Sequence, residues 1–245
     1  MPPNGNFRTA YRDLEDRMKT RAVADGDVFL PNPEPEGPAH HVLICMEPSL
    51  GRWARSCEEA RSKVDAGFRN FVSSIEDFIL HFSVRHYLCA PEERYHITDL
   101  SKGAMLVDRA GVSRIDRYDR WFALLEEEID LVAAPTARII AVGNVVAEHL
   151  ERRRFRRRFT RVIHYSGQAG PARNRAISGR EVDFEAFSKS VTLEDVLSTA
   201  KDVLRLARLP DDFREATLSR LARNRLTASR QKLIFAYKLA FEATR

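Results

Sequence analysis

Residues of chemical interest fall where four short apolar runs stop. Glu47 follows Val42-Leu43-Ile44-Cys45-Met46 and precedes Pro48-Ser49-Leu50-Gly51. Asp99 lies at the end of Tyr95-His96-Ile97-Thr98, Gly143-Asn144 at the end of Arg138-Ile139-Ile140-Ala141-Val142, and His164 at the end of Arg161-Val162-Ile163. An apolar run bounded by proline or glycine reads as a buried strand that ends abruptly. In an open α/β sheet, ligands bind in the crevice outside the carboxyl ends of the strands. Two carboxylates and an imidazole converging there suit hydrolysis: one orients water, one reads the substrate, one stabilises a leaving group. Each has a plainer reading alone, Glu47 as a solvated loop residue and His164 as a hydrogen-bonded structural one. Convergence carries the inference.

A second feature is electrostatic. Seven arginines fall between Glu151 and Arg161. Like charges so close repel unless something anionic offsets them. A phosphate backbone is the natural partner, because guanidinium groups make bidentate, salt-sensitive contacts to it. Arg152, Arg153, Arg154, Arg156, Arg157 and Arg158, together with Lys102, are therefore the candidate DNA contacts. The alternative is local pairing with some of the chain's 35 acidic residues. Phe155 and Phe159, four apart, are expected to face the core. Basic residues continue at Arg214, Arg220, Arg223, Arg225, Arg230 and Lys232. The two helices joined near Asn224-Arg225-Leu226-Thr227 are either a helix-turn-helix reader or a packed pair with a basic outer face.

The elements that must hold these residues alternate. Strands are expected at about 41–46, 95–100, 138–143 and 161–164. Helices are expected over about 11–23, 68–82 (Phe71, Val72, Ile75, Phe78, Ile79 and Phe82 on one face), 118–133 and 144–154. That pattern predicts an α/β fold, a three-layer α/β/α sandwich around a four-stranded, mainly parallel sheet. Thr192-Leu193-Glu194-Asp195 resembles a capping box opening a helix that Pro210 stops. Two more helices, about 211–223 and 229–243, complete a helical C-terminal extension. The expected divisions are an N-terminal arm over 1–39, stiffened by prolines at 31, 33, 35 and 38, a core over 40–180, and the extension over 181–245. Ser166-Gly167-Gln168-Ala169-Gly170-Pro171 reads as a glycine-rich loop.

With 245 residues and 44% apolar content, the chain can bury a core without disulfides or metal. Its three cysteines, Cys45, Cys57 and Cys89, form neither a disulfide framework nor a metal motif. No apolar run reaches the ~18 residues of a membrane span, and no signal-peptide region opens the chain, so a cytoplasmic location is the default. The net charge of +5 hints at a polyanionic partner. A monomer is the default state.

The ordered motifs resemble the uracil-DNA glycosylase superfamily over about His40 to Arg175. Cys45-Met46-Glu47-Pro48-Ser49 is similar to its first motif, which carries a catalytic acid beside a proline. Tyr95 through Lys102 is similar to its middle strand, where an asparagine reads the base. Pro135 through Ala147 resembles its Pro-x-x-Ile-hydrophobic-hydrophobic-Gly-x-x-Ala segment, and Val162-Ile163-His164-Tyr165-Ser166 its closing histidine-proline-serine motif. The resemblance implies hydrolysis of a base–deoxyribose bond after the nucleotide is flipped from the stack. It implies that Glu47 orients water, that His164 hydrogen-bonds the departing base, and that Phe71 stacks on that base. Iron-sulfur branches need four cysteines, so no cluster and no other cofactor is expected. Tyr165 replaces the usual proline.

Two departures bear on substrate. Asp99 replaces the asparagine, and an ionised carboxylate only accepts hydrogen bonds. It favours a base presenting an amino donor, as cytosine does, over uracil. Ser49 stands where some branches carry a tyrosine that blocks the pyrimidine 5-position. The expectation is a glycosylase for a 5-substituted cytosine, such as a hypermodified base in phage DNA, in antiviral defence. The alternatives are excision of uracil or deaminated bases in repair, and a non-catalytic DNA-binding protein that keeps the fold.

Overall fold

A computed structural model of the chain describes residues 4–51, 53–109, 111–166 and 169–244. Among them the chain forms α1 (Asn4–Ala24), β1 (Val28–Phe29), β2 (Ala39–Cys45), α2 (Cys57–Asp65) and α3 (Ile75–Ser83), which a π-helical turn extends over Val84–Leu88. There follow β3 (Tyr95–Asp99), β4 (Gly103–Ala104), α4 (Arg114–Val132), β5 (Ala133–Val142), α5 (Asn144–Arg152) and β6 (Phe159–Val162). Five helices close the chain: α6 (Gly170–Ile177), α7 (Glu181–Ser190), α8 (Leu193–Leu206), α9 (Asp211–Ala222) and α10 (Ala228–Glu242). None of the helices is long and apolar enough to cross a membrane.

The main sheet has four strands in the order β3-β2-β5-β6, and β2 runs parallel to both of its neighbours. Central position explains the near-unbroken apolar sequence of β2, since a parallel strand covered on both faces has no polar side to offer. Val42, Leu43, Ile44 and Cys45 are fully buried. The architecture is α/β and compatible with the expected three-layer sandwich. A second small sheet pairs β1 with β4 antiparallel, with Val28 opposite Ala104.

β5 begins at Ala133, five residues before the expected Arg138. Ala39 lies opposite Ala133 while His41 lies opposite Arg138, so the register shifts between them. Pro135 sits exposed in the extra length of β5. A bulge there spares it the ladder hydrogen bond that it cannot donate.

Two compact units divide the chain, Met1–Asn70 with Glu93–Thr160, and Phe71–Glu92 with Arg161–Arg245. They do not follow the divisions at 39 and 180. In the first unit the N-terminal arm is a core element. Phe7, Tyr11, Leu14, Met18 and Ala22 recur at helical spacing along α1 and are buried. Phe7 and Tyr11 join a cluster with Val42, Ile44, Phe122, Ile129 and Ile139, and the other three pack on Trp121. Each large side chain so buried contributes ~1.5–3 kcal/mol, so the arm expected as a boundary segment is part of the core.

The second unit is helical. Both α3 and α8 open on capping boxes, Ser74 with Asp77 and Thr192 with Asp195, the latter as the sequence marks it. α3 packs on α8, and α10 packs on α3, α6 and α7. Residues Leu233 through Tyr237 of α10 are buried in succession. A helix covered all round along that stretch is a core helix, so α10 offers no free face there for a groove, and α9 packs on α8. Arg220 donates to the Ser73 carbonyl at 2.8 Å and Arg230 reaches Glu76 at 2.8 Å, which ties their charge inward.

Candidate active site

In the first unit, the carboxyl ends of β2 and β3 lie side by side. Cys45 is opposite Asp99, and the Leu100 amide donates to both the Cys45 and Met46 carbonyls at 2.9 Å. Glu47 and Asp99 therefore leave neighbouring strand ends.

The Glu47 side chain is 3% exposed and held from α4. Arg114 brings Nε to 3.0 Å and Nη2 to 2.9 Å from Oε1, and the Tyr118 hydroxyl donates to Oε2. Arg114 and Tyr118 are four apart, one turn of the same helix face, which is why both reach one carboxylate. Burial pushes the Glu47 carboxyl above the usual carboxylate range, against the Tyr118 hydrogen bond and the Arg114 charge, which pull it down. Burial, then the charge of Glu47, push the Tyr118 phenol far up, so it stays a donor. A carboxylate offers about four acceptor positions. Arg114 occupies two on Oε1 and Tyr118 one on Oε2, which leaves one position on Oε2.

Asp99 is buried, and its Oδ2 accepts from Asn70 Nδ2 at 2.6 Å. The Asn70 amide itself donates to the Pro31 carbonyl at 2.9 Å, which fixes its place. With the NH2 turned to Asp99, the Asn70 carbonyl oxygen is an acceptor as well. Ser49 is half-buried in a loop pinned by the Leu50 amide to the Met105 carbonyl (2.8 Å) and by Trp53 Nε1 to the Ser49 carbonyl (2.8 Å). Gly143 adopts φ 100° between β5 and α5, and Asn144 is exposed at the helix start.

Lys102 is not a DNA contact. It is 1% exposed, with Nζ 2.5 Å from Thr98 Oγ1 and 3.0 Å from Glu128 Oε1. Glu128, fully buried on α4, also accepts from His96 Nε2 at 2.9 Å and from Thr98 Oγ1 at 2.8 Å. Burial would raise the Glu128 carboxyl, but the Lys102 charge, His96 and Thr98 outweigh it and hold it down at about 2.

The arginine run meets the acidic face of α4. Arg152 is bidentate to Asp119 at 2.9 and 3.2 Å, and Arg153 lies 3.7 Å from Asp119 with its guanidinium over the Phe122 ring. Arg156 pairs with Glu126 and Asp130, both at 3.1 Å, and Arg157 with Asp130 at 3.3 Å. Arg154 and Arg158 are exposed, with no acidic partner among the described residues. Local pairing therefore takes four of the six candidate arginines and three carboxylates. The positive excess remains at the surface. Phe155 and Phe159 pack on the core as expected, but not through helical spacing: Phe155 follows α5 and Phe159 opens β6.

In the second unit, Phe71 precedes α3 and is not part of it. It is buried at φ 57°, and its carbonyl accepts from His81 Nε2 at 2.9 Å. A left-handed aromatic residue is uncommon and costs of order 1–3 kcal/mol, so the surroundings must hold it there. His81, pushed down to about 4 by burial, is a neutral donor. His164 follows β6. Its Nδ1 accepts from the Ser166 amide at 3.0 Å, and its ring stacks on Tyr165. Accepting at Nδ1 places the proton of the neutral ring on Nε2. Burial, then the Arg173 charge, push His164 down to about 4, so near neutrality it is an uncharged Nε2–H donor. Of the glycine-rich loop after it, Gly167 and Gln168 lie outside the described residues.

Arg114, Tyr118 and Asn70 are the site residues that the strand-end reading missed. The i, i+4 spacing of Arg114 and Tyr118 was a usable signal; nothing local marked Asn70. Among the described residues no group of three or more His, Cys, Asp or Glu is placed to hold a metal ion. No family model, curated protein or solved structure matches this chain.

Proposed function

We propose that this protein is a DNA glycosylase of the uracil-DNA glycosylase type, with a 5-substituted cytosine as its base, such as a hypermodified cytosine of phage DNA. The observation that carries this reading is the pair of buried carboxylates on the neighbouring ends of β2 and β3, one raised and one bonded to the Asn70 side-chain amide. Glu47 keeps a position on Oε2 for a water whose proton it can take as that water adds to C1′ of the sugar. The electron pair of the broken C1′–N1 bond leaves with the base, and an uncharged imidazole N–H such as that of His164 stabilises such an anion. Asp99 and Asn70 together suit the amino group of cytosine better than the O4 of uracil. The half-buried Ser49 is a small side chain where a tyrosine would crowd the 5-position. The arginine excess suits the phosphate backbone.

Chromatography of base released from DNA containing glucosylated hydroxymethylcytosine, plain cytosine or uracil tests the reading. Release from the modified DNA, falling roughly 10²–10⁴-fold in Glu47→Gln with DNA binding retained, is expected. Release of uracil alone turns the assignment to repair.

One observation favours a second reading. The Arg114 charge at 2.9 Å offsets the charge of Glu47, as suits a carboxylate that ties α4 to the sheet in a non-catalytic DNA-binding protein. That reading predicts DNA binding and no base release from any of the three DNAs.

A further inference from the structure

A cavity of about 700 Å³ in the first unit is lined by one face of α1, by the segment around β1 that leads to β2, and by α2. Its size is that of a small-molecule site. Three buried side-chain oxygens of residues on its wall have no hydrogen-bond partner; Asp27 Oδ2 and Glu34 Oε1 are ion-paired instead, 3.7 Å from Arg117 Nε and 3.6 Å from Arg8 Nε, and Asn32 Oδ1 has neither. All three accept and none donates.

Asn32 is the most telling. It is 2% exposed, and its Nδ2 donates to the Ile97 carbonyl at 3.1 Å. Only the amide NH2 can make that bond, so the orientation is set and Oδ1 is left facing away from it. An unpaired buried acceptor costs ~1–3 kcal/mol. Glu15, on the α1 wall, adds a carboxyl with no hydrogen bond or ion pair among the described residues, and burial pushes it up to about 7. The cationic residues on the wall are arranged differently. Lys19 and Arg61 are exposed and have no acidic partner among the described residues, whereas Arg69 is spent on the Val64 and Phe68 carbonyls at 3.2 and 2.9 Å.

We infer that this cavity binds a small molecule with a planar, guanidine-type pair of N–H donors at its inner end and an anionic group at its rim. A planar donor pair satisfies a carboxylate bidentately, as Glu15 offers, and a further N–H reaches Asn32 Oδ1. The anionic end meets Lys19 and Arg61. Two sources share this chemistry, a guanine nucleotide through its N1–H and N2–H edge, and an arginine-like amino acid through its guanidinium. Neither Glu47 nor Asp99 lines this cavity, and its test does not depend on them.

Isothermal titration of the full chain with GMP, and separately with arginine, distinguishes the two sources. AMP, which lacks the paired donor edge, serves as the control. Saturable binding of one probe is expected, weakened roughly 10–100-fold in Glu15→Gln, whose amide turns a donor toward the ligand's donors. Arg61→Glu, on the exposed rim where folding is not at stake, is expected to weaken the same probe several-fold. Absence of binding by both probes overturns the inference, as does equal binding of AMP. So does a titration that Arg61→Glu and a folded Glu15→Gln both leave unchanged.

Discussion

Glu47 and Glu128 are both buried beside the same sheet and both depend on α4, yet the protein treats them oppositely. Glu128 meets Lys102, His96 and Thr98 and is held down at about 2. Glu47 meets Arg114 and Tyr118, and burial still wins, so its carboxyl stands above its ordinary range. The difference lies in the partners. The Lys102 side chain is 2% exposed, so its attraction for Glu128 acts with little solvent screening, whereas Arg114 is 31% exposed and its charge is partly screened. Each carboxylate meets three donors, but the buried Lys102 charge holds Glu128 ionised as a structural rivet, whereas Glu47 keeps a raised proton affinity, the condition under which a carboxyl can do chemistry.

The largest expected effect breaks the rivet. Lys102→Met strands Glu128 as a buried charge and should cost ~3–5 kcal/mol in urea denaturation. Adding Glu128→Leu to that variant should recover most of the loss, because the unpaired charge goes with it. Glu47→Gln should cost only about 1 kcal/mol, since the amide still bonds Tyr118 and the exposed Arg114 can rehydrate. Equal losses from Lys102→Met and Glu47→Gln would erase the distinction between the two glutamates.

The pH dependence of stability sharpens the same comparison, because the two shifts have opposite sign. Glu128 lies below its unfolded value of about 4.3, so its contribution is full above that pH and is lost as pH falls toward about 2. Glu47 lies above its unfolded value, so its contribution is present at low pH and is lost as pH rises through the folded value. Urea midpoints measured between about pH 3 and 7 should show Glu47→Gln gaining on the parent as pH rises. His164 gives a smaller signal. Its folded value of about 4 lies below the ordinary ~6.5, so its contribution is intact above that pH and fades as pH falls through about 4. Base release should likewise show no His164 titration between about pH 5 and 8.

The strands at Val42, Ile97 and Ile139 were legible because apolar runs bounded by breakers have few other readings, and the α8 cap because a side chain-to-backbone motif is local. The fourth strand lies at Phe159–Val162 and not at 161–164, because its exposed Thr160 and Arg161 make no apolar run. The start of β5 was not, since a proline inside a strand is tolerated only through a bulge that depends on its neighbour's register. Nor was Lys102, whose sequence position beside Gly103 looks exposed. Its burial depends on Glu128, 26 residues on, and no local pattern states that two charges will meet. Phe71 was read onto a helix by its spacing, and only the carbonyl bond from His81 reveals why it sits outside. Strand-end residues could be placed one by one. What holds them could not.

The arginine run permits the finest test, since its members differ in partner. Exposed pairs contribute ~0–1 kcal/mol, so Arg152→Ala should lower stability by no more than that. In a DNA complex, however, Arg152 must share itself between Asp119 and phosphate, whereas Arg154 and Arg158 have no carboxylate to leave. Each charge given wholly to phosphate adds about 0.9 to the slope of log affinity against log salt. Arg158→Ala should therefore flatten that slope by nearly one while leaving the urea midpoint in place, and Arg152→Ala should flatten it less. If both variants flatten it equally, the pairs with α4 open on binding, and the acidic face of that helix does not compete for the arginines. If neither does, the run makes no phosphate contact and serves α4 alone.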